Sequence, residues 1–287
     1  MLVEKSFDTG EVVLNYAEGP DNGPPIIFLH GVLSNWQYYQ PIITHLQSRW
    51  HIYAVDHRGH GKSGHTPNQY GLEYYYNDHQ RFLDNQITEP AILVGHSLGG
   101  VITCMLAYRN KEKVKAAILL DPPLFFRDRT SKNNLELWST YQKIVSFKGN
   151  RRERMHHIVN LEVGFTDPPM KFVDAFDISS VMAWIQNDVD PSILDMMIES
   201  RKKQDFTAMD GWYNPETVLS AINCPVLLIQ AGKGMLSLSD SDRKKTESLF
   251  KDLVYVQLMD HDHALGINRW NIADVMRPIS FFLELFR

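Results

Sequence analysis

The sequence predicts an α/β fold: a mostly parallel, twisted sheet flanked by helices, with a helical insertion interrupting it. Three observations carry that expectation. Short β-branched apolar runs alternate with helix-period amphipathic stretches from the N-terminus to about residue 122. Residues 123–222 then show helical periodicity broken by prolines and no strand pattern. Strand character resumes at Pro225. A chain of 287 residues, 44% of them apolar, can bury the core of one such domain together with its insertion.

Val12-Val13-Leu14-Asn15-Tyr16 reads as one arm of an edge hairpin with the segment before it. Residues 26–29, 52–55, 91–94 and 114–120 are short, continuous apolar runs of the kind that parallel strands covered on both faces require. Helical patterns fill the gaps at residues 36–48, 74–86 and 98–109. Within the insertion, Asp190-Pro191 and Asn214-Pro215-Glu216 are helix starts, each a capping side chain followed by proline in the first turn. Pro225-Val226-Leu227-Leu228-Ile229 is the next strand, and Ser239 caps a helix from about Asp240. Residues 254–258 make the last strand, and 270–286 a final amphipathic helix. The domain division is thus a sheet domain of residues 1–122 and 223–287, split by a helical insertion of residues 123–222, with no internal repeat or low-complexity linker.

The most informative stretch is Gly95-His96-Ser97-Leu98-Gly99, directly after Ala91-Ile92-Leu93-Val94. It predicts a strand, one sharp turn and a helix, with Ser97 in strained backbone and its hydroxyl projecting from the sheet edge. The glycines on either side let neighbouring backbone come close. The turn also sets the serine at a helix N-terminus, where free N–H groups and the dipole favour developing negative charge. The competing reading, a serine that only caps the helix, does not account for the flanking glycines.

Three further segments join it: Ile26-Ile27-Phe28-Leu29-His30-Gly31-Val32, then Val55-Asp56-His57-Arg58-Gly59-His60-Gly61-Lys62-Ser63, and Asp260-His261-Asp262-His263-Ala264-Leu265 behind the last strand. With these, nearly the whole chain resembles the α/β-hydrolase superfamily, and in particular its cofactor-independent serine hydrolases with a helical cap (lid). The resemblance implies Ser97 as nucleophile and, as its base, a histidine in the loop after the last long strand. His263 suits that role better than His261, because Ala264 and Leu265 follow it; Asp260 and Asp262 stand where small residues are usual. Relatives mostly carry their acid after the strand matching residues 225–229. Here that loop reads Gln230-Ala231-Gly232-Lys233-Gly234-Met235-Leu236, without an acid. Asp121, ending the preceding strand, is the expected third member; Asp240 and Asp242 are the alternatives, and a turn-forming role before Pro122-Pro123 is the competing reading of Asp121. The backbone N–H groups of Val32 and Leu98 are the expected oxyanion donors. Asp56, Arg58, His60 and Ser63 match a motif whose role is structural, and His30 and His96 read as packing neighbours of the donors.

These implications define the expected function. It is a serine hydrolase cleaving a carboxylic ester or lactone of a small-to-medium apolar substrate through an acyl-enzyme, needing neither cofactor nor metal. The alternatives are a C–C bond hydrolase of diketones, or a non-catalytic ligand receptor of the same fold; a perhydrolase side activity fits the large cap poorly. Phe125, Phe126, Trp138, Met155, Phe165, Trp184, Met196, Met197 and Trp212 in the insertion read mostly as glue between cap helices, over a mainly apolar pocket. No arginine there is assigned to a substrate carboxylate. The net charge of −5 argues against nucleic acid or an anionic membrane surface. Arg151-Arg152-Glu153-Arg154 and Arg201-Lys202-Lys203 read as solvated helix faces. Two lone cysteines, Cys104 and Cys224, no apolar signal core and no membrane-length run predict a cytoplasmic protein, monomeric or homodimeric, without stable membrane insertion.

Overall fold

The computed structural model describes residues 1–125, 132–164, 168–175, 188–203, 211–233, 239–267 and 272–287. Its centre is an eight-stranded sheet in the order β1-β2-β4-β3-β5-β6-β9-β10. The strands are β1 (Val3–Asp8), β2 (Val13–Glu18), β3 (Pro25–Leu29), β4 (His51–Val55), β5 (Ala91–His96), β6 (Val114–Leu120), β9 (Val226–Ala231) and β10 (Leu253–Leu258). The β1–β2 hairpin is antiparallel and joins β4 antiparallel, while every pairing from β4 to β10 is parallel. All residues of β3, β5 and β9 are buried, as their unbroken apolar runs require of strands covered on both faces.

Helices α1 (Gln40–Leu46), α2 (Leu72–Gln86) and α3 (Leu98–Arg109) follow β3, β4 and β5. Residues 36–39, expected as the first turn of α1, form a separate 3-10 turn capped by Asn35, whose side chain accepts the Gln37 N–H. In α3 all but the last two residues are buried. One face of the sheet carries an apolar cluster with α2 and α3 that continues into the insertion through Ile193, Leu194 and Met197. The other packs Ile42, Ile43 and Leu46 of α1 with Val275, Ile279 and Phe282 of the last helix.

Between β6 and β9 lie α4 (Lys132–Val145), α5 (Arg151–Asn160), α6 (Phe172–Ala175), α7 (Pro191–Lys203) and α8 (Pro215–Ala221). Contrary to the expectation of no strand there, Glu162–Val163 (β7) pairs antiparallel with Met170–Lys171 (β8). Two residues per strand leave no period to read in a sequence. The capping signals hold: Asn214 accepts from Thr217 N–H at 3.0 Å, and Asp190 from Ser192 N–H at 3.0 Å. After β9 come α9 (Asp240–Leu249), with Ser239 accepting the Asp242 N–H at 3.1 Å, and α10 (Ala273–Leu283). The expected start of that helix at Trp270 lies outside the described residues. Among the described residues no helix is long and apolar enough to cross a membrane.

Candidate active site

Ser97 sits on the turn from β5 to α3 with φ 51° and ψ −117°, a conformation that L-residues adopt only when the surroundings force it. Its side chain makes no cap hydrogen bond to α3, so the hydroxyl is not spent on the helix. The glycines have specific reasons. A Cβ at Gly95 would run into the Gly99 carbonyl and Thr103 Oγ1, and one at Gly99 into the Leu29 and His30 carbonyls. Backbone thus packs on backbone where β3 and β5 end. At Gly31 a Cβ would lie 2.8 Å from His96 Nδ1 and 3.0 Å from Ser97 Cβ, so the turn after β3 rests directly against the serine. Among the described residues, neither the Val32 nor the Leu98 N–H has a protein acceptor.

Asp121 and His263 come together across 142 residues of sequence, Asp121 Oδ2 lying 2.5 Å from His263 Nδ1. The carboxylate is buried at the end of β6 and has φ 46°, a second forced backbone position. Its other oxygen accepts from the Ala231 N–H at 3.0 Å and from the Gln230 side-chain amide. The β6–β9 register, Leu120 opposite Ile229, brings Asp121 beside Gln230. The rival histidine goes elsewhere, His261 Nε2 facing Asp274 at 3.1 Å. Asp240, exposed, and Asp242, half-buried, are first-turn residues of α9, the one pairing with Arg243 at 3.8 Å and the other accepting from Ser239 Oγ at 2.8 Å. No hydrogen bond among the described residues joins Ser97 to His263.

The His263 loop is clamped by two residues that sequence reasoning gave no such task. His96 donates its Nε2–H to the His263 carbonyl at 2.8 Å, and its ring lies 4.7 Å from the His263 ring, tilted by 41°. Tyr38 donates to the Ala264 carbonyl at 2.9 Å and also lies against His96, ring centroids 4.8 Å apart. Burial, with the neighbouring His263 adding to it, pushes His96 down to about 3, so this ring stays neutral. Gln230 was also missed; its one signal is that it is a polar residue ending an apolar strand.

The Asp56-to-Ser63 motif is built as a brace. Asp56 accepts from Trp36 N–H at 2.7 Å, Asn15 at 2.8 Å and Lys62 N–H at 3.0 Å, tying the loop after β4 to the turn after β3. Arg58, fully buried, forms a two-pronged pair with Asp78 at 2.6 and 2.7 Å. His30 joins a buried group with His57 and His79.

In the insertion, Phe125, Trp138, Met196, Met197 and Trp212 belong to the apolar cluster that also holds Val32 and Leu98, whereas Met155 is exposed. Phe126, Phe165, Trp184 and residues 234–236 lie outside the described residues. Arg201 corrects the reading of residues 201–203 as a solvated face. Its guanidinium lies 4.8 Å over the Trp138 ring, and burial lowers it to about 10. Its only hydrogen bond among the described residues goes to the Met197 carbonyl at 2.9 Å, and its Nε is buried without a partner. The α4–α7 packing turns this position inward, which sequence spacing did not reveal. Both cysteines are free; Cys104 is buried and Cys224 half-buried, burial raising the latter to about 11. Among the described residues no three His, Cys, Asp or Glu side chains are grouped to hold a metal ion.

Comparison with known proteins bears on the fold. The family model described as the alpha/beta hydrolase fold matches residues 24–282. The chain is 32% identical over 120 residues to a 2-(acetamidomethylene)succinate hydrolase of Mesorhizobium japonicum, covering 42% of this chain and 43% of that protein. It is 35% identical over 107 residues to a Bacillus subtilis protein named as an uncharacterized carboxylesterase, covering 37% of this chain and 36% of that one. The chain therefore spans less than half the length of these two curated relatives. The solved structure of an enol-lactonase from Burkholderia xenovorans superposes with a TM-score of 0.71 at 18% identity, over 98% of this chain and all of that one. The chain belongs to the α/β hydrolase fold family.

Proposed function

We propose that this member of the α/β hydrolase fold family is a serine hydrolase that cleaves a carboxylic ester or lactone of a small-to-medium apolar substrate. The observation that carries the reading is the His263–Asp121 pair at 2.5 Å, held at the same sheet edge as the strained, glycine-flanked Ser97. In this reading His263 Nε2 takes the Ser97 proton as Oγ attacks the carbonyl carbon. The oxyanion is received by the Val32 and Leu98 N–H groups. The protonated ring, stabilised by Asp121, then gives its proton to the leaving oxygen, leaving an acyl-enzyme. Water, deprotonated by His263, attacks the acyl carbon, and the proton returns to Ser97 as the acid departs. The named carboxylesterase and lactonase among similar proteins support the substrate class.

A second reading narrows that class. Arg201 is a half-buried guanidinium without a carboxylate partner among the described residues, and it lies over Trp138, in the cluster that also includes Val32 and Leu98. It favours a substrate that carries a carboxylate of its own. The test uses p-nitrophenyl esters from acetate to decanoate, with the hemisuccinate beside them, on wild type and Ser97→Ala. Turnover lost in a folded Ser97→Ala variant supports the hydrolase; preference for the hemisuccinate, lost in Arg201→Gln, supports the second reading. Undiminished turnover by Ser97→Ala overturns Ser97 as the nucleophile; absence of turnover by the folded wild type, with a fluorophosphonate that fails to label Ser97, overturns the proposal in favour of a receptor.

A further inference from the structure

The Gly31 carbonyl and the Val32 N–H are the two ends of one planar peptide and point in opposite directions. Whatever fixes the carbonyl therefore aims the N–H. Two donors hold that carbonyl: His30 Nδ1 at 2.7 Å and the Ser34 N–H at 3.2 Å. The turn is tight enough to hold Leu33 at φ 67°, a left-handed position that a leucine keeps only where its surroundings over-determine it.

His30 can donate from Nδ1 in its neutral form only if Nε2 carries no hydrogen. That is enforced, because Nε2 accepts the His57 backbone N–H at 3.0 Å. The His57 ring is fixed in turn. Its Nε2 lies 2.6 Å from the His30 carbonyl, which can only accept, so the hydrogen is on Nε2. His57 Nδ1 must then accept, and His79 Nε2–H donates to it at 2.6 Å. The His30 carbonyl also accepts the Gly99 N–H at 3.1 Å, which ties the start of α3, with the Leu98 N–H, to the same point. All three rings are buried, His30 and His57 completely.

We propose that His79 and His57 are positioning residues, acting through His30 to hold the Gly31–Val32 peptide with its N–H turned toward the carbonyl that Ser97 attacks. The inference rests on the reading of Val32 as an oxyanion donor. His79 lies in α2 and reaches the site only through this chain of hydrogen bonds, which makes it the informative residue to change. His79→Leu breaks the chain; His79→Gln keeps an N–H donor at its end.

The experiment measures kcat and KM on p-nitrophenyl acetate and, because it needs no knowledge of the substrate, the rate of Ser97 labelling by a fluorophosphonate. Ring-nitrogen NMR shifts at pH 7.5 report the tautomers of His30, His57 and His79. Val32→Pro, which removes the N–H at a turn position that suits proline, is measured alongside. The expected result is a kcat about tenfold lower in His79→Leu with KM unchanged, a parallel fall in labelling rate, and recovery of most of both in His79→Gln, against a ~10²-fold fall in Val32→Pro. A folded His79→Leu with unchanged kcat and labelling, or a His79→Gln no better than His79→Leu, overturns the inference while leaving the hydrolase reading intact. Val32→Pro at wild-type rates overturns the oxyanion assignment itself, and the inference with it. Should His79→Leu not fold, His79→Met replaces it, and a wild-type His30 ring protonated on Nε2 is by itself sufficient to overturn the proposal.

Discussion

Acid is expected to destabilise this protein well above the pH at which ordinary carboxylates titrate, because five buried imidazoles have no place for a second proton. His30, His57, His60, His79 and His96 are all at most 7% exposed. In His30 and His57 the proton-free nitrogen already accepts an N–H. In His60, His79 and His96 it is buried without a partner. Burial accordingly pushes His60 down to about 4 and His79 and His96 to about 3, and holds His30 and His57 well below the ordinary value. The Arg58 charge adds to this at His79, and the His263 ring at His96; Asp190 works against it at His60. In the unfolded chain each ring titrates near 6.5. The folded pKa values are depressed, so this stability is fully present above about pH 6.5 and is lost as pH falls from there toward about 4. At pH 5.5 His60, His79 and His96 together cost about 4 kcal/mol, and His30 and His57 act in the same direction, against a total of about 5–15 kcal/mol for a folded domain. Asp56 and Asp78, which burial raises, take up protons more readily in the folded than in the unfolded chain and so oppose the loss as pH falls. The assay is urea unfolding followed by circular dichroism at pH 7.5, 6.5 and 5.5. A drop of at least about 4 kcal/mol is expected between the outer two; a drop below about 2 kcal/mol would refute the assignment of neutral buried rings.

Three further outcomes follow from the geometry. Asp121→Asn keeps the shape beside His263 but not the charge, and kcat on p-nitrophenyl esters falls by about 10³–10⁴, while Asp240→Asn and Asp242→Asn leave it unchanged. Arg58→Leu or Asp78→Leu alone lowers the unfolding free energy by about 3–5 kcal/mol, each leaving one member of the buried pair without its main partner, and the double variant recovers much of the loss; additive losses in the urea cycle would contradict this. Gly99→Ala drives a methyl into the Leu29 and His30 carbonyls and costs more than about 4 kcal/mol, read as insoluble protein or a strongly lowered melting temperature, whereas Gly10→Ala, with open space around it, costs only its backbone strain.

The legible parts of this fold are those whose cause is local. β3, β5 and β9 could be read because a strand buried on both faces is apolar along most of its length, and the Ser97 turn because Gly95 is demanded by the nearby Gly99 carbonyl, although Gly99 itself answers to the distant Leu29 and His30 carbonyls. What could not be read depends on register. His30, His57 and His79 follow β3, follow β4 and sit inside α2, and nothing in their spacing says that they share hydrogens. Arg201 reads as surface until α4 and α7 are packed together.

Register also explains how the acid can stand at the end of β6. In a parallel sheet, the residues just past neighbouring strands project into one crevice. β6 and β9 are neighbours, with Leu120 opposite Ile229, so a carboxylate one residue past β6 and one in the loop after β9 would approach the same imidazole from adjacent positions. Moving the acid to Asp121 then asks one thing of β9: that it no longer present a competing acceptor there. Gln230 meets that demand by donating its amide to Asp121, and the Ala231 N–H adds a second donor on the same oxygen. Gln230→Glu tests the point. It would put two carboxylates against one another beside His263, and it is expected to lower kcat below wild type most strongly above pH 7, where both would have to be ionised. Wild-type activity across that range would mean that Gln230 is only a filler and that the choice of strand was free.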